Sequence, residues 1–169
     1  MLLVSRILIP LMGDTLCWRD LPVLLDLPAP RLRAYARETV VAEKFQAMVA
    51  LGKANSRMKD FYDVWVLSKT YDFNRERLAQ AIAATFARRQ TAIPEAPPDA
   101  FTPEFFRDES KMQQWSAFVR DLSAQIPPFE TMISELAAFI APVTVEARAL
   151  LQKKGHGSGV LPQRSQHHE

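Results

Sequence analysis

Apolar residues recur three and four positions apart from residue 38 to about residue 151, and this spacing constrains the fold more than any other feature of the sequence. Because an α-helix turns once every 3.6 residues, the spacing places apolar side chains along one side of each helix. Capping residues, glycines and prolines interrupt the pattern at intervals. We therefore expect a mainly α fold, a helical bundle of about five to six helices.

The ends of the predicted helices follow from these interruptions. Gly52 suits the left-handed turn that ends a helix, and Asn55 or Ser56 can cap the next one. Pro142 has no amide hydrogen, so it is expected to kink or end the last helix. The predicted helices run from Glu38 to Leu51, from Met58 to about Thr70, from the cap Asn74 through Phe86, from Thr102 with a restart at Asp108 to about Leu122, and from Pro127 and Pro128 to Pro142, with a short segment to about Leu151.

Both ends of the chain differ from this pattern. Evidence for strands is confined to the first 35 residues, in the runs ILIPLM and VLLDL and in the alternation of RLRAY. After Lys153 the tail is polar and contains Gly and Ser without apolar periodicity, which favours disorder. We therefore divide the chain into an extended segment 1–35, a helical domain 36–152 and a disordered tail 153–169.

Composition excludes several classes of protein. The net charge of +2 is too small to indicate nucleic-acid binding by itself. The single Cys17 permits no disulfide within the chain, and no Cys and His residues have the spacing of a metal site. Arg6 and Pro10 interrupt the first apolar run, so a signal peptide is not expected, and no run approaches the ~20 apolar residues that span a bilayer. We expect a cytoplasmic protein without a membrane anchor.

Lys44 lies at the edge of the apolar side of the first predicted helix, which is centred on Val41, Phe45 and Met48. Two interpretations are open. In the structural one, the stem of Lys44 covers apolar surface while its ammonium reaches water. In the functional one, the ammonium points into a cleft and binds a phosphate. The periodicity by itself favours the structural interpretation.

The segment RMKDFYD of the second predicted helix carries two carboxylates, Asp60 and Asp63, three positions apart and therefore on one face. The structural interpretation pairs Asp63 with Lys59 and places Asp60 near the helix N-terminus, where its charge offsets the macrodipole. The functional interpretation directs both carboxylates to one site and gives phosphate binding to Arg57 and Lys59. Spacing alone favours the structural interpretation.

The run from Leu24 to about Phe73, which contains AEKFQAM and RMKDFYD, resembles the C-terminal half of the AbiEii/AbiGii family. Members of this family are nucleotidyltransferase-like toxins of bacterial abortive-infection and toxin–antitoxin systems, which act in phage defence. The later helices, including the stretch QQWSAF, resemble the helical continuation of the family through about Ile140. The resemblance implies that residues 1–35 are a remnant of the nucleotidyltransferase α/β sheet domain and that a helical domain follows it.

The resemblance also implies roles for particular residues. AEKFQAM matches the family motif that supplies a lysine, so Lys44 becomes a candidate for binding nucleotide phosphates. RMKDFYD matches the motif that supplies an acid, so Asp60 becomes the candidate carboxylate beside it, with Asp63, Lys59 and Arg57 in support. Such a set suits nucleotidyl transfer, which depends mostly on positioning and charge neutralisation. The implied cofactor is Mg2+ and the implied substrate is a nucleoside triphosphate (NTP).

One part of the family pattern is missing. The family carries an earlier Gly-Ser or Gly-Gly turn and an Asp-x-Asp pair that holds magnesium, whereas the first 23 residues here contain Asp14 and Asp20 but no such pair. Without the pair, the metal loses its template, and much of the transition-state stabilisation is lost. The expectation is therefore a truncated family member, from a gene fragment, an internal start or a frameshift, with impaired magnesium binding and catalysis.

The resemblance therefore implies a truncated nucleotidyltransferase-like toxin that is opposed by a cognate antitoxin. The family activity is transfer of a nucleotide from an NTP to an acceptor such as tRNA. The alternative is a non-catalytic helical interaction module that binds an antitoxin, a full-length toxin or RNA. Apolar surface left uncovered by missing strands would favour this alternative and would also promote self-association.

Overall fold

The computed structural model describes residues 16–20, 31–122 and 125–156, and it describes side chains for residues 36–122 and 125–153. The predicted helical domain is therefore described except for residues 123 and 124. The part of the predicted tail that follows His156 lies outside the described residues.

A pair of antiparallel strands precedes the helices. β1 (Leu16–Asp20) pairs with β2 (Arg31–Tyr35), with Leu16 opposite Tyr35 at one end of the ladder and Asp20 opposite Arg31 at the other. The alternation of RLRAY correctly predicted β2, whereas β1 was not predicted. The other two candidate strands, ILIPLM and VLLDL, lie outside the described residues.

The first helix, α1 (Arg37–Leu51), forms where the periodicity placed it. Its Val41, Phe45 and Met48 are buried, as the apolar spacing predicted. The helix ends at Gly52, whose φ is 50° and whose amide donates to the carbonyl oxygen of Met48. Glycine adopts this positive φ readily because it has no Cβ. A 3-10 turn over Gly52–Ala54 then starts the connection to the second helix.

The second helix, α2 (Met58–Thr70), has the predicted bounds but not the predicted cap. Its N-cap position is Arg57 rather than Asn55 or Ser56, and the side chain of Arg57 makes no capping hydrogen bond. The side-chain oxygen of Asn55 accepts the amide hydrogen of Arg57 at 2.8 Å, so Asn55 forms a turn just before the helix instead of capping it. The buried side chains of α2 are Met58, Phe61, Val64 and Leu67.

The third helix, α3 (Arg75–Arg88), has the predicted cap, because the side-chain oxygen of Asn74 accepts the amide hydrogen of Arg77 at 2.9 Å. After the helix, Gln90 has a φ of 52°. The amide of Thr91 donates to the carbonyl oxygen of Phe86, and the amide of Gln90 donates to that of Ala87. These two hydrogen bonds form a Schellman motif, in which the residue at position 90 is usually glycine.

Two short helices follow the proline-rich segment, α4 (Pro103–Phe106) and α5 (Glu109–Val119). Helix α4 begins at Pro103, where the missing amide hydrogen of proline costs nothing. Helix α5 begins after Asp108, whose carboxylate accepts the amide hydrogen of Lys111 at 3.0 Å. The predicted start and restart are both confirmed.

The last helix, α6 (Phe129–His156), continues through Pro142, so of the two outcomes predicted at this proline, a kink or an end, the end is wrong. Proline removes one amide hydrogen from the helix, but Ile140, Val143 and Ala147 on both sides of it are buried. This burial supports the helix where the local propensity does not. The helix also includes residues 153–156, which the sequence assigned to the tail.

The core lies where α1 and α6 pack on α3, while α2 packs on α1, α5 and α6. Phenylalanine rings fill much of it, with Phe45 against Phe86 and Phe61 against Phe105. The described residues contain six helices, which agrees with the mainly α bundle predicted from the spacing. In this described part, no helix is long and apolar enough to cross a membrane.

Candidate functional site

Side chains from two helices meet at one place on the surface of the bundle. Lys44 lies on α1 beside the buried Phe45, and both Asp60 and Asp63 lie on α2 near its start. Because α1 and α2 pack against each other, Lys44 reaches these carboxylates across sixteen positions of sequence. The two carboxylates share one face of α2, as their spacing predicted.

The ammonium of Lys44 is bound by both carboxylates. Its Nζ donates to Oδ1 of Asp60 at 2.5 Å and lies 2.9 Å from Oδ2 of Asp63. The side chains of Lys44, Asp60 and Asp63 are 21%, 16% and 20% exposed, so water screens their charges only in part. The ammonium is therefore paired with carboxylates as well as partly exposed to water, and the structural and functional interpretations of Lys44 both stay open.

Two exposed cations extend this group. The Nζ of Lys59 lies 2.6 Å from Oδ2 of Asp63, which confirms the predicted pair, and Nη1 of Arg57 lies 4.0 Å from Oδ2 of Asp60. The five side chains form an alternating charge row in the order Arg57, Asp60, Lys44, Asp63, Lys59. Three cations and two carboxylates leave one positive charge in excess, so the charge row suits an anionic ligand.

Burial acts to lower the pKa of the Lys44 ammonium from its ordinary value of 10.5. The hydrogen bonds and negative charges of Asp60 and Asp63 act in the opposite direction and outweigh burial, so the pKa of Lys44 is raised. Lys44 is therefore a cation at neutral pH. Of its three N–H groups, two have acceptors among the described residues, and the third can donate to a ligand.

A cleft of about 560 Å³ opens beside the charge row, between the start of α2 and the second half of α5. Small-molecule sites usually have volumes of roughly 300–1,000 Å³. The charged and polar lining residues are Ser56, Arg57, Lys59, Asp60 and Gln114, and the apolar lining residues are Met58, Ala117 and Phe118. Phosphate would meet two cations at a helix N-terminus, and a planar ring would meet the side chain of Phe118.

Asp60 and Asp63 are the carboxylates of the charge row that could contact a divalent cation, together with the phosphates of a bound nucleotide. Within residues 16–20, 31–122 and 125–156, no three His, Cys, Asp or Glu side chains are grouped as metal ligands. The two carboxylates of the charge row already accept from lysine, Asp60 from Lys44 and Asp63 from Lys44 and Lys59. The lysine contacts fall on Oδ1 of Asp60 and Oδ2 of Asp63, so a divalent cation would compete with the ammonium groups for these two oxygens.

The structure brings together all five residues selected from the sequence, but sequence reasoning missed a contribution from α5. Met112, which precedes the buried Trp115 by three positions, is 46% exposed, whereas Lys111 is 9% exposed. The Nζ of Lys111 donates to the carbonyl oxygen of Asn55, before α2, at 2.8 Å. The signal was present in the spacing, because Lys111 precedes the buried Trp115 by four positions and so shares its face of the helix.

Comparison with known proteins identifies one protein family. A family model described as the nucleotidyl transferase AbiEii toxin of a type IV toxin–antitoxin system matches residues 6–135. The matched segment includes all of α1 to α5 and every residue of the charge row. No curated protein and no solved structure matches the chain.

Proposed function

Because the chain belongs to the AbiEii nucleotidyl transferase toxin family of type IV toxin–antitoxin systems, we propose that it binds an NTP at the charge row and transfers a nucleotide to an acceptor. One observation is the main support for placing the site at the charge row. Lys44, Asp60 and Asp63 converge within hydrogen-bonding distance beside a cleft that also carries the two exposed cations Arg57 and Lys59.

Nucleotidyl transfer places specific demands on such a site. The acceptor hydroxyl oxygen forms a bond to the α-phosphorus of the NTP, the bond to pyrophosphate breaks, and the hydroxyl loses its proton. The departing pyrophosphate accumulates negative charge, which nearby cations stabilise. We assign this role to Arg57, Lys59 and the third N–H group of Lys44. We assign the proton to Asp60, the carboxylate among the residues that line the cleft.

Asp63 has a positioning role in this proposal. Its Oδ2 accepts from both Lys44 and Lys59, at 2.9 Å and 2.6 Å, and so holds the two ammonium groups close together. Lysine side chains have many rotamers, and fixing two of them before the ligand arrives lowers the entropic cost of binding.

We propose further that the acceptor is an RNA such as tRNA, that a cognate antitoxin opposes the activity, and that the protein acts in the cytoplasm. The 169 residues contain no Asp-x-Asp pair, and the described residues contain no group of three or more His, Cys, Asp or Glu side chains that could hold a metal ion. We therefore propose that transfer by this chain alone is weak, because a bound divalent cation normally stabilises both the attacking and the leaving oxygen.

The experiment is incubation of the purified chain with magnesium, tRNA and each labelled NTP in turn. We expect slow transfer that falls by roughly 10²–10³ in Lys44→Ala, the usual cost of removing one group that stabilises transition-state charge. Lys53→Ala is the matched control, since Lys53 is an exposed lysine on the 3-10 turn outside the charge row. Transfer that survives Lys44→Ala would contradict the site, and rapid wild-type transfer would contradict the proposed weakness.

The alternative of a non-catalytic interaction module depends on uncovered apolar surface. The exposed large apolar side chains of the described residues are Leu51, Met112 and Val145, which lie on three different helices. No contiguous patch among these residues therefore supports this alternative or the self-association expected from the sequence. Size-exclusion chromatography with light scattering measures association directly, and a concentration-independent monomer would contradict self-association.

A further inference from the structure

Lys111 is a buried lysine on α5 that has no carboxylate partner among the described residues. Lys111 is 9% exposed, and its Nζ donates to the carbonyl oxygen of Asn55 at 2.8 Å. The same nitrogen lies 5.3 Å from the centre of the Phe105 ring, a distance suited to a cation–π contact. The ammonium is therefore stabilised by one backbone oxygen and one aromatic face.

Such a placement is costly unless the contacts of the ammonium are strong. Removing a charged group from water costs several kcal/mol, and a lysine on a helix surface can usually avoid this cost by extending its stem toward solvent. Lys111 does not extend in this way, although its neighbour Met112 is 46% exposed. The buried ammonium of Lys111 therefore donates a charged hydrogen bond to the segment that precedes α2.

Asn55 connects this donor to the charge row. It is fully buried, and its side-chain Oδ1 accepts the amide hydrogen of Arg57 at 2.8 Å. Its Nδ2 has no acceptor among the described residues, whereas both of its oxygens accept hydrogen bonds and its backbone amide donates to the carbonyl oxygen of Gly52 at 3.1 Å. Two further backbone bonds continue the turn, from Met58 to Ser56 and from Asp60 to Arg57. The contacts thus run without a break from Lys111 to Asp60.

We propose that Lys111 is a positioning residue, which holds the turn at Asn55 and thereby fixes Arg57, Lys59 and Asp60 in the geometry that binds phosphate. The importance of that geometry rests on the proposed function, whereas the anchoring contact does not. Lys111 is not among the lining residues of the cleft and acts through Asn55.

The first measurement is amide hydrogen exchange by NMR in Lys111→Met, which keeps the length of the side chain and removes the donor. We expect the amides of Arg57, Met58 and Asp60 to exchange about tenfold faster, the effect of losing a hydrogen bond to a charged group. Lys69→Met is the matched control, because Lys69 lies at the other end of α2 and pairs with Glu135 at 2.9 Å. This control should leave the three amides unchanged.

A second measurement on the wild-type protein does not depend on the folding of a variant. The ammonium protons of Lys111 should appear as a slowly exchanging NMR resonance, because they are buried and hydrogen-bonded. Unchanged exchange at Arg57, Met58 and Asp60 in folded Lys111→Met, or rapid exchange of the Lys111 ammonium in the wild type, would overturn the proposal.

A nucleotide-binding experiment distinguishes a failure of this proposal from a failure of the proposed function. In titrations with magnesium-NTP, Lys111→Met should raise the Kd several-fold, while Lys69→Met should not. Absence of NTP binding by the wild-type chain would contradict the proposed function, and the exchange measurements would still decide the role of Lys111. If the wild type binds NTP and Lys111→Met binds it with the same Kd, the positioning role is wrong.

Discussion

The ammonium nitrogen of Lys44 lies 2.5 Å from Oδ1 of Asp60, and this contact joins α1 to α2. Two oppositely charged groups this close, and only partly exposed, attract more strongly than an ion pair in open water. The same ammonium also meets Asp63, so the contact is both part of the proposed site and a link that holds two helices together. Changes at Lys44 should therefore affect stability as well as activity.

The pH dependence of stability should reveal this contact. The pKa of Lys44 is raised above 10.5 in the folded protein, so the unfolded chain releases this proton at lower pH than the folded chain. The contribution of Lys44 to the free energy of unfolding is therefore complete below pH 10.5 and is lost as the pH rises through the folded-state pKa. In urea unfolding, the difference between the wild type and Lys44→Met should be constant near neutral pH and shrink above pH 10.5.

The difference in free energy of unfolding between the wild type and Lys44→Met cancels the contributions of the other groups that titrate in alkali. Lys53→Met, at an exposed lysine outside the charge row, serves as the control for loss of one surface charge. A difference between wild type and Lys44→Met that stays constant well above pH 10.5 would contradict the raised pKa.

A contact between α2 and α6 should lose its contribution to stability at low pH rather than at high pH. Nε1 of Trp65 donates to Oε2 of Glu135 at 2.6 Å, and Nζ of Lys69 lies 2.9 Å from the same oxygen. The hydrogen bond from Trp65, followed by that from Lys69, lowers the pKa of Glu135 below 4.5. Its contribution to stability is therefore complete above pH 4.5 and is lost as the pH falls through the folded-state pKa.

Glu135→Gln removes this titration, so its Tm should be below that of the wild type at neutral pH, and the gap should close in acid. Trp65→Phe and Lys69→Met should each remove part of the acid-dependent difference, because the hydrogen bond from Trp65 and the hydrogen bond and charge of Lys69 all lower the pKa of Glu135. Thermal unfolding followed by circular dichroism across the acid range measures all four proteins. An acid-dependent difference that either partner variant leaves unchanged would contradict the role of that partner.

Gln90→Gly should stabilise the protein by about 1 kcal/mol, the usual cost of a left-handed conformation in a residue with a Cβ. Gln90 has a φ of 52° in the Schellman motif that ends α3. Arg89→Gly is the control, because Arg89 has a φ of −87° and gains no relief from glycine. Urea unfolding should separate the two variants, and a lower midpoint for Gln90→Gly than for wild type would contradict the prediction.

Gly52→Ala should destabilise the protein by about 1–2 kcal/mol, because it places a Cβ on a backbone with positive φ. Gly52 has a φ of 50°, and a Cβ there would lie 3.2 Å from Oδ2 of Asp99. The double variant Gly52→Ala with Asp99→Ala separates the two causes, since it removes the close contact and keeps the backbone strain. Full recovery of the urea midpoint in the double variant would contradict backbone strain as the main cause.

The sequence alone predicted most of the helix boundaries, because caps and apolar spacing act within one helical turn. Asn74 and Asp108 cap their helices as expected, with bonds to amides three positions later. The same local logic failed at Asn55, whose oxygen bonds two positions later and leaves Arg57 as the cap of α2. It was wrong about an end of the helix at Pro142, because packing on both sides carries the helix past a residue that disfavours it.

For the site, the motifs and the spacing identified Lys44, Asp60 and Asp63 and placed the two carboxylates on one face of α2. Spacing within a helix determines only which residues of that helix are neighbours, because each side chain meets those three and four positions away. The tertiary structure decided that one lysine from α1 binds both carboxylates, and that Lys111 rather than Met112 is buried against the start of α2. These contacts depend on how whole helices pack, which the energy of the entire core determines rather than any short segment of the chain.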